Sequence, residues 1–70
     1  MGPRIRRVTV RAYNLRPGDI LVSAPDYIVE MAMHYPGTWN EAFVDVSYTN
    51  GKSVNGLSPD GLFTVTRTYA

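Results

Sequence analysis

The fold is decided by the stretch AFVDVSYTNG, which occupies residues 42–51. Apolar side chains stand at every second position of its first half, as expected for a β-strand with one buried face. Those on one side are Ala42, Val44, Val46 and Tyr48. The pair Asn50-Gly51 follows, and this pair favours the positive φ values of a two-residue type I′ hairpin. The stretch predicts a strand over about residues 42–49 that turns back into a brief strand at about 52–54.

The same two-residue period runs through most of the chain, and turn residues interrupt it about every 8 to 12 positions. The further predicted strands cover about residues 5–13, 20–23, 27–34 and 62–69. Proline and glycine predict a reversal at Pro17-Gly18, a strand end at Asn55-Gly56, a tight turn over 58–61 and a longer loop over 35–41. The pattern predicts an all-β fold, a small, partly open barrel of five or six short antiparallel strands.

The alternation also predicts which side of each strand faces the core. In the third strand, one side carries Tyr27, Val29, Met31 and Met33, and the other carries Ile28, Glu30, Ala32 and His34. The first set is predicted to be buried, because it is the more apolar of the two and methionine fills small cores well. The alternative is that Met31 and Met33 contact a partner, if this strand lies at an edge. In the last strand, one side carries Phe63, Val65, Arg67 and Tyr69.

Length and composition restrict the class of protein. A chain of 70 residues buries enough surface for one modest core, so residues 1–70 are predicted to form a single domain, with 1–4 as a flexible arm. The chain has no cysteine, which excludes disulfides and thiolate metal sites and favours the cytoplasm. Its longest apolar runs, such as Ile20-Leu21-Val22, are far shorter than the roughly 20 residues of a membrane span. No membrane partner is expected.

A longer set of residues resembles a known group of proteins. These are Leu15-Arg16-Pro17-Gly18-Asp19-Ile20-Leu21-Val22, the Asn50-Gly51 turn, and a Pro-Asp turn before Val65-Thr66-Arg67. In these features the chain resembles small uncharacterised proteins of actinobacteria and their bacteriophages. The resemblance implies an SH3-like barrel and a phage or accessory origin, with the host cytoplasm as the location if the chain is phage-encoded. It does not imply a function, because one fold hosts many functions.

Aromatic residues are the first candidates for a binding surface. SH3-like barrels bind extended peptides on aromatic surfaces, and an aromatic loop on a rigid scaffold is a plausible contact. The predicted partner-binding residues are Tyr13, Tyr35, Trp39 and Tyr48, of which Tyr35 and Trp39 fall in the 35–41 loop. The alternative is that these rings close one end of the barrel as part of its core.

Arginine is concentrated at the start of the chain. The residues before the first acid, Asp19, carry a charge of +5, and the remainder carries −4. The candidate nucleic-acid-binding residues are Arg4, Arg6, Arg7 and Arg11, because arginine neutralises phosphates and releases counterions. Neighbouring arginines on a strand point to opposite sides, so one continuous stripe is not assured. The alternative is that they solubilise a strand edge and pair with Asp26, Glu30 and Asp45.

The sequence carries no sign of catalysis. His34 is the only histidine and has no acid at a diagnostic spacing, and phosphate-binding loops, nucleophile elbows and metal motifs are absent. No cofactor or metal is expected. Three hypotheses remain: a non-enzymatic module that binds a protein partner, a nucleic-acid-binding protein, and a self-assembling homo-oligomeric subunit.

Overall fold

The structure, a computed structural model, describes residues 4–37 and 42–69. Its strands are β1 (Arg4–Arg11), β2 (Ile20–Leu21), β3 (Val29–Tyr35), β4 (Phe43–Tyr48), β5 (Ser53–Leu57) and β6 (Leu62–Tyr69), and a 3₁₀ turn covers Ala12–Asn14. They form two three-stranded antiparallel sheets with the orders β1-β6-β2 and β3-β4-β5. We call these sheet A and sheet B. The sheets do not close on each other, so the prediction of a small, all-β, partly open barrel is confirmed.

The core lies between the inner faces of the two sheets. Its buried apolar residues are Ala12, Leu15, Val29, Val44, Val46, Tyr48 and Val65. Strand β4 supplies three of them at alternate positions, which confirms the face predicted from residues 42–51. In β1, Val8 and Val10 pack against this cluster from the predicted apolar side. The interior is small because these side chains are mostly valine, and β-branched residues suit a pleated sheet.

The predicted core face of β3 is wrong for its two methionines. Val29 is buried, but Met31 and Met33 are exposed. Val29 pairs with Tyr48 and Met31 pairs with Ser47, so two steps along β3 match one step along β4. This is a β-bulge, and the extra residue moves every later side chain to the opposite face. The inner side of β3 after the bulge therefore carries Ala32, which packs against the core.

The structure differs from the prediction at the hairpin turn after β4 and at the predicted end of β5. The Gly51 N–H donates to the Tyr48 carbonyl at 3.1 Å, and the Tyr48 N–H donates to the Lys52 carbonyl at 2.9 Å. The hairpin loop thus has three residues with Gly51 at φ +85°, rather than a two-residue type I′ turn. Asn55-Gly56 does not end β5 but forms a bulge opposite β4, where Gly56 adopts φ +75°.

A buried ion pair joins the 14–19 segment to β6. The Arg67 Nε and Nη2 atoms donate to the two carboxylate oxygens of Asp19 at 2.9 and 2.7 Å. Arg67 Nη2 also donates to the Asn14 carbonyl, and the Arg16 N–H donates to Asp19, both at 2.9 Å. The pair and its hydrogen bonds hold the Pro17-Gly18 turn against sheet A, where the Asp19 N–H bonds the Arg16 carbonyl as predicted for a reversal.

Candidate functional site

The outer face of sheet B carries a row of exposed apolar side chains. Its members are Met31, Met33 and Tyr35 of β3 and Phe43 of β4, with exposed fractions of 52, 46, 38 and 37%. We call this row the β3 outer face. Tyr35 lies directly across from Phe43, and their rings stack with centroids 4.7 Å apart and planes 19° apart. The Tyr35 hydroxyl reaches the Met33 sulfur at 3.7 Å. The four side chains therefore form one contiguous surface.

Among the described residues, the backbone edge beside this row has no partner strand, and the 3₁₀ turn contacts β3. Strand β3 stands at the edge of sheet B, with β4 on one side. On its other side, Val29 exchanges backbone hydrogen bonds with Gly18 and Asp19, at 2.7 and 2.8 Å. Among the described residues, no strand pairs with Met31–Tyr35 on that side. An open edge offers backbone donors and acceptors to an added strand.

The charges around the β3 outer face are acidic. Glu30 and Asp45 are the charged residues of β3 and β4, and Asp45 lies directly across from Met33. One Asp45 oxygen accepts the Gly56 N–H at 2.9 Å, which ties the carboxylate to the β5 bulge. A ligand that runs along this edge meets apolar side chains flanked by negative charge.

The predicted aromatic residues are divided between different places. Tyr35 lies in β3 and not in the predicted 35–41 loop, because it pairs with Phe43, and it belongs to the β3 outer face. Tyr13 is 42% exposed on the 3₁₀ turn, 6.2 Å from the His34 ring. Tyr48 is buried in the core, where its ring meets Tyr27 edge-on at 5.0 Å, so we remove it from the candidate surface. Trp39 lies outside the described residues, as do positions 38–41 of the predicted loop.

Sequence reasoning named Tyr35 of the β3 outer face, gave Met31 and Met33 as partner contacts only as the alternative to core filling, and missed Phe43. Met31 and Met33 were placed in the core because their alternation continues that of Val29. The bulge that reverses them occurs at Glu30, and a charged residue between apolar ones is equally compatible with a regular strand. Phe43 could have been found, since it alternates with the buried Val44 and Val46 and so had to face outward.

The predicted arginines are all exposed on β1, which is one of the two edge strands of sheet A. Arg4 and Arg6 lie on the same side as Val8, whereas Arg7 and Arg11 lie on the opposite, outer side. Arg11 bonds the Tyr13 hydroxyl at 3.3 Å and approaches Asp60 at 4.0 Å, and these contacts raise the Arg11 pKa. In the described residues, the predicted pairs with Asp26, Glu30 and Asp45 do not form.

The described residues offer few groups for acid–base or metal chemistry. They contain no group of three His, Asp or Glu side chains that could hold a metal ion. The buried carboxylate, Asp19, is held by Arg67, whose pKa is raised chiefly by this hydrogen bond. A depression of about 160 Å³ next to this pair is lined by 16–19, Arg67 and Thr68. Across the described ranges, no helix has the length and apolarity to span a membrane.

Comparisons with known proteins add no relative to this description. No protein-family model matches the chain, and neither the curated proteins nor the solved structures contain a match. The relationship to SH3-like phage and actinobacterial proteins, and the cytoplasmic location, therefore stay predictions.

Proposed function

We propose that this protein is a non-enzymatic binding module that captures an extended segment of a protein partner along β3. The observation that carries the proposal is the contiguous exposed row of Met31, Met33, Tyr35 and Phe43 beside an open strand edge. Methionine and aromatic side chains are frequent at protein-binding surfaces because they supply large, adaptable apolar contacts. An edge strand adds main-chain hydrogen bonds to the affinity, and the side-chain row adds specificity.

The chemistry of the edge favours a basic, apolar segment. Glu30 and Asp45 flank the β3 outer face, and β3 and β4 carry no lysine or arginine. A partner strand with apolar residues at every second position could cover Met31 and Met33. Lysine or arginine in that segment would be attracted by Glu30 and, one strand further from the edge, by Asp45, and complementary charge fixes register and speeds association.

The experiment is selection of ten-residue peptides from a displayed random library on the immobilised protein, followed by affinity measurement. We expect selected peptides to carry apolar residues at every second position and a net positive charge. Met33→Glu places a charge in the middle of the row. It should weaken the affinity for the selected peptides at least about tenfold, because the new carboxylate must be desolvated beneath an apolar residue of the peptide. The control is Leu62→Glu, which makes the same change at an apolar residue of sheet A that is 70% exposed.

Three results would contradict the proposal. One is that no peptide is enriched over the bare support. The second is that Met33→Glu and Leu62→Glu weaken the peptides equally, which would place the contact elsewhere. The third is light scattering that shows a stable homo-oligomer whose dissociation is caused by Met33→Glu, since the edge would then serve self-assembly, the other hypothesis drawn from the sequence.

A further inference from the structure

The outer face of sheet A has a composition unlike that of the β3 outer face. Cross-strand pairing sets Arg7 opposite Thr66, Thr9 opposite Thr64 and Ile5 opposite Thr68. Arg7, Thr9, Arg11, Thr64 and Thr68 are exposed and Thr66 is half-buried. Strands β1, β2 and β6 contain five arginines and no acidic residue. Two of these arginines, Arg7 and Arg11, stand on the outer side, with the exposed Ile5 at one end and the exposed Leu62 at the other. We call this side the arginine–threonine face.

The arginine–threonine face continues into two exposed rings. Arg11 Nη1 donates to the Tyr13 hydroxyl at 3.3 Å, and the Tyr13 ring lies 6.2 Å from His34 with the planes tilted by 35°. Arg7 and Arg11 are four residues apart on one strand, or about 13 Å. Along the surface, the Arg7 cation is followed by the threonine hydroxyls, then by the Arg11 cation and finally by the Tyr13 ring. Asp60 is the acid nearest this track, 4.0 Å from Arg11.

We infer that the arginine–threonine face binds single-stranded nucleic acid, with its phosphates on Arg7, Arg11 and the threonine hydroxyls and a base against Tyr13. Arginine and threonine are common phosphate ligands, and their contacts position a strand without reading its sequence. Exposed rings next to cations stack unpaired bases, which a duplex does not offer. Because the proposed base contact uses the exposed Tyr13 ring, the single strand is the form that fits.

The inference narrows the arginine hypothesis to particular residues. Arg4 and Arg6 lie on the other side of β1 from Arg7 and Arg11, so a strand bound along the outer side does not meet all four. A variant that lacks Arg7 and Arg11 and a variant that lacks Arg4 and Arg6 have the same net charge, so a comparison of the two tests the side of β1 and not the total charge. It is also independent of the β3 outer face, because Met33→Glu leaves the arginine–threonine face unaltered.

The test is fluorescence anisotropy of a labelled 20-nucleotide oligothymidine at 50 and 200 mM salt. Two phosphate contacts give a salt slope of about −1.4, which is roughly sevenfold weaker binding at the higher salt. The double variant Arg7→Ala with Arg11→Ala should lose both the affinity and this slope. The equally charged double variant Arg4→Ala with Arg6→Ala should keep them. Circular dichroism checks that both variants fold.

The aromatic contact is tested separately. Tyr13→Ala should weaken binding about tenfold, as for loss of one stacked base, and Tyr13→Phe should retain it because the ring remains. The inference is overturned by an absence of binding at 50 mM salt, or by equal losses in the two arginine double variants. It is also overturned if a duplex of the same length, or inorganic polyphosphate, binds as tightly as the oligonucleotide and Tyr13→Ala has no effect.

Discussion

At the scale of single residues, the Arg67–Asp19 pair is a buried contact between two segments that are 48 positions apart in the chain. Its side chains are 9 and 2% exposed, and Asp19 also accepts the Arg16 N–H. Asp19→Ala leaves the guanidinium buried without its anion, and removal of one partner of such a pair costs about 3–5 kcal/mol. We therefore expect a large loss in the free energy of unfolding, measured by urea denaturation.

Two variants separate the charge from the turn. Asp19→Asn removes the charge but retains an oxygen that accepts the Arg16 N–H. If this hydrogen bond contributes to stability, Asp19→Asn destabilises the protein less than Asp19→Ala does. If only the charge contributes, the two variants are destabilised equally. Asp60→Ala removes the exposed partner of Arg11, and we expect no measurable loss because such pairs are screened by solvent. Equal stability of the Asp19→Ala and Asp60→Ala variants would show that the buried pair is not structural.

Tyr48 predicts a change of stability at alkaline pH. Burial, and to a smaller extent Tyr27, raises the Tyr48 pKa above its ordinary value of about 10. The unfolded chain therefore releases this proton at lower pH than the folded protein, so stability is retained below about pH 10 and decreases above it. Tyr48→Phe should remove that decrease. Denaturation curves of the two proteins between about pH 8 and 11 check it, and parallel pH profiles would contradict it.

Predictions from the sequence were most accurate for residue types that occur in few structural environments. Val44, Val46 and Val65 are buried as their alternation predicts, and the Pro17-Gly18 reversal occurs with Gly18 at φ +94°. Arg67 was assigned to the same side of β6 as Val65, which is the buried side, but its partner was not predicted. Asp19 is 48 positions away, and nothing in the local pattern of either residue indicates that they meet.

At the scale of elements, two β-bulges account for most of the differences from prediction. Strand β6 agrees with its predicted range, and β4 differs by one residue at each end. The bulge in β3 reverses two methionines, and the bulge in β5 extends a strand that was expected to stop at Asn55-Gly56. Both depend on pairing with β4, so they are set by tertiary contacts and not by the local sequence.

The β5 bulge makes a prediction about glycine. Gly56 adopts φ +75°, and a Cβ built there meets nothing within 4 Å, so the cost of a side chain is conformational and not steric. Gly56→Ala should destabilise by about 1–2 kcal/mol, the penalty of an L-residue in that region. Asn55→Ala, at the exposed neighbour, should cost much less. Equal midpoints of urea unfolding for the two variants would exclude a strained position at 56.

At the scale of the whole molecule, the two sheets present different chemistry. The strands of sheet A contain arginine and no acid, whereas those of sheet B contain Glu30 and Asp45 and no lysine or arginine. The open edge and apolar row lie on the acidic sheet, and the arginine–threonine face lies on the basic one. We propose that a protein segment binds sheet B and that single-stranded nucleic acid binds sheet A, so that one domain holds both ligands together.

The most direct test of the central proposal is oxidation of Met31 and Met33 by dilute peroxide, mapped by mass spectrometry. Peroxide reacts with accessible thioethers, so both sites should oxidise in the folded protein at nearly the rate of the urea-unfolded chain. A peptide selected as above should protect both sites. If both methionines oxidise about tenfold or more slowly in the free folded protein than in the urea-unfolded chain, they lie in the core, and this would contradict the account. A bound peptide that leaves their oxidation rate unchanged would contradict it too.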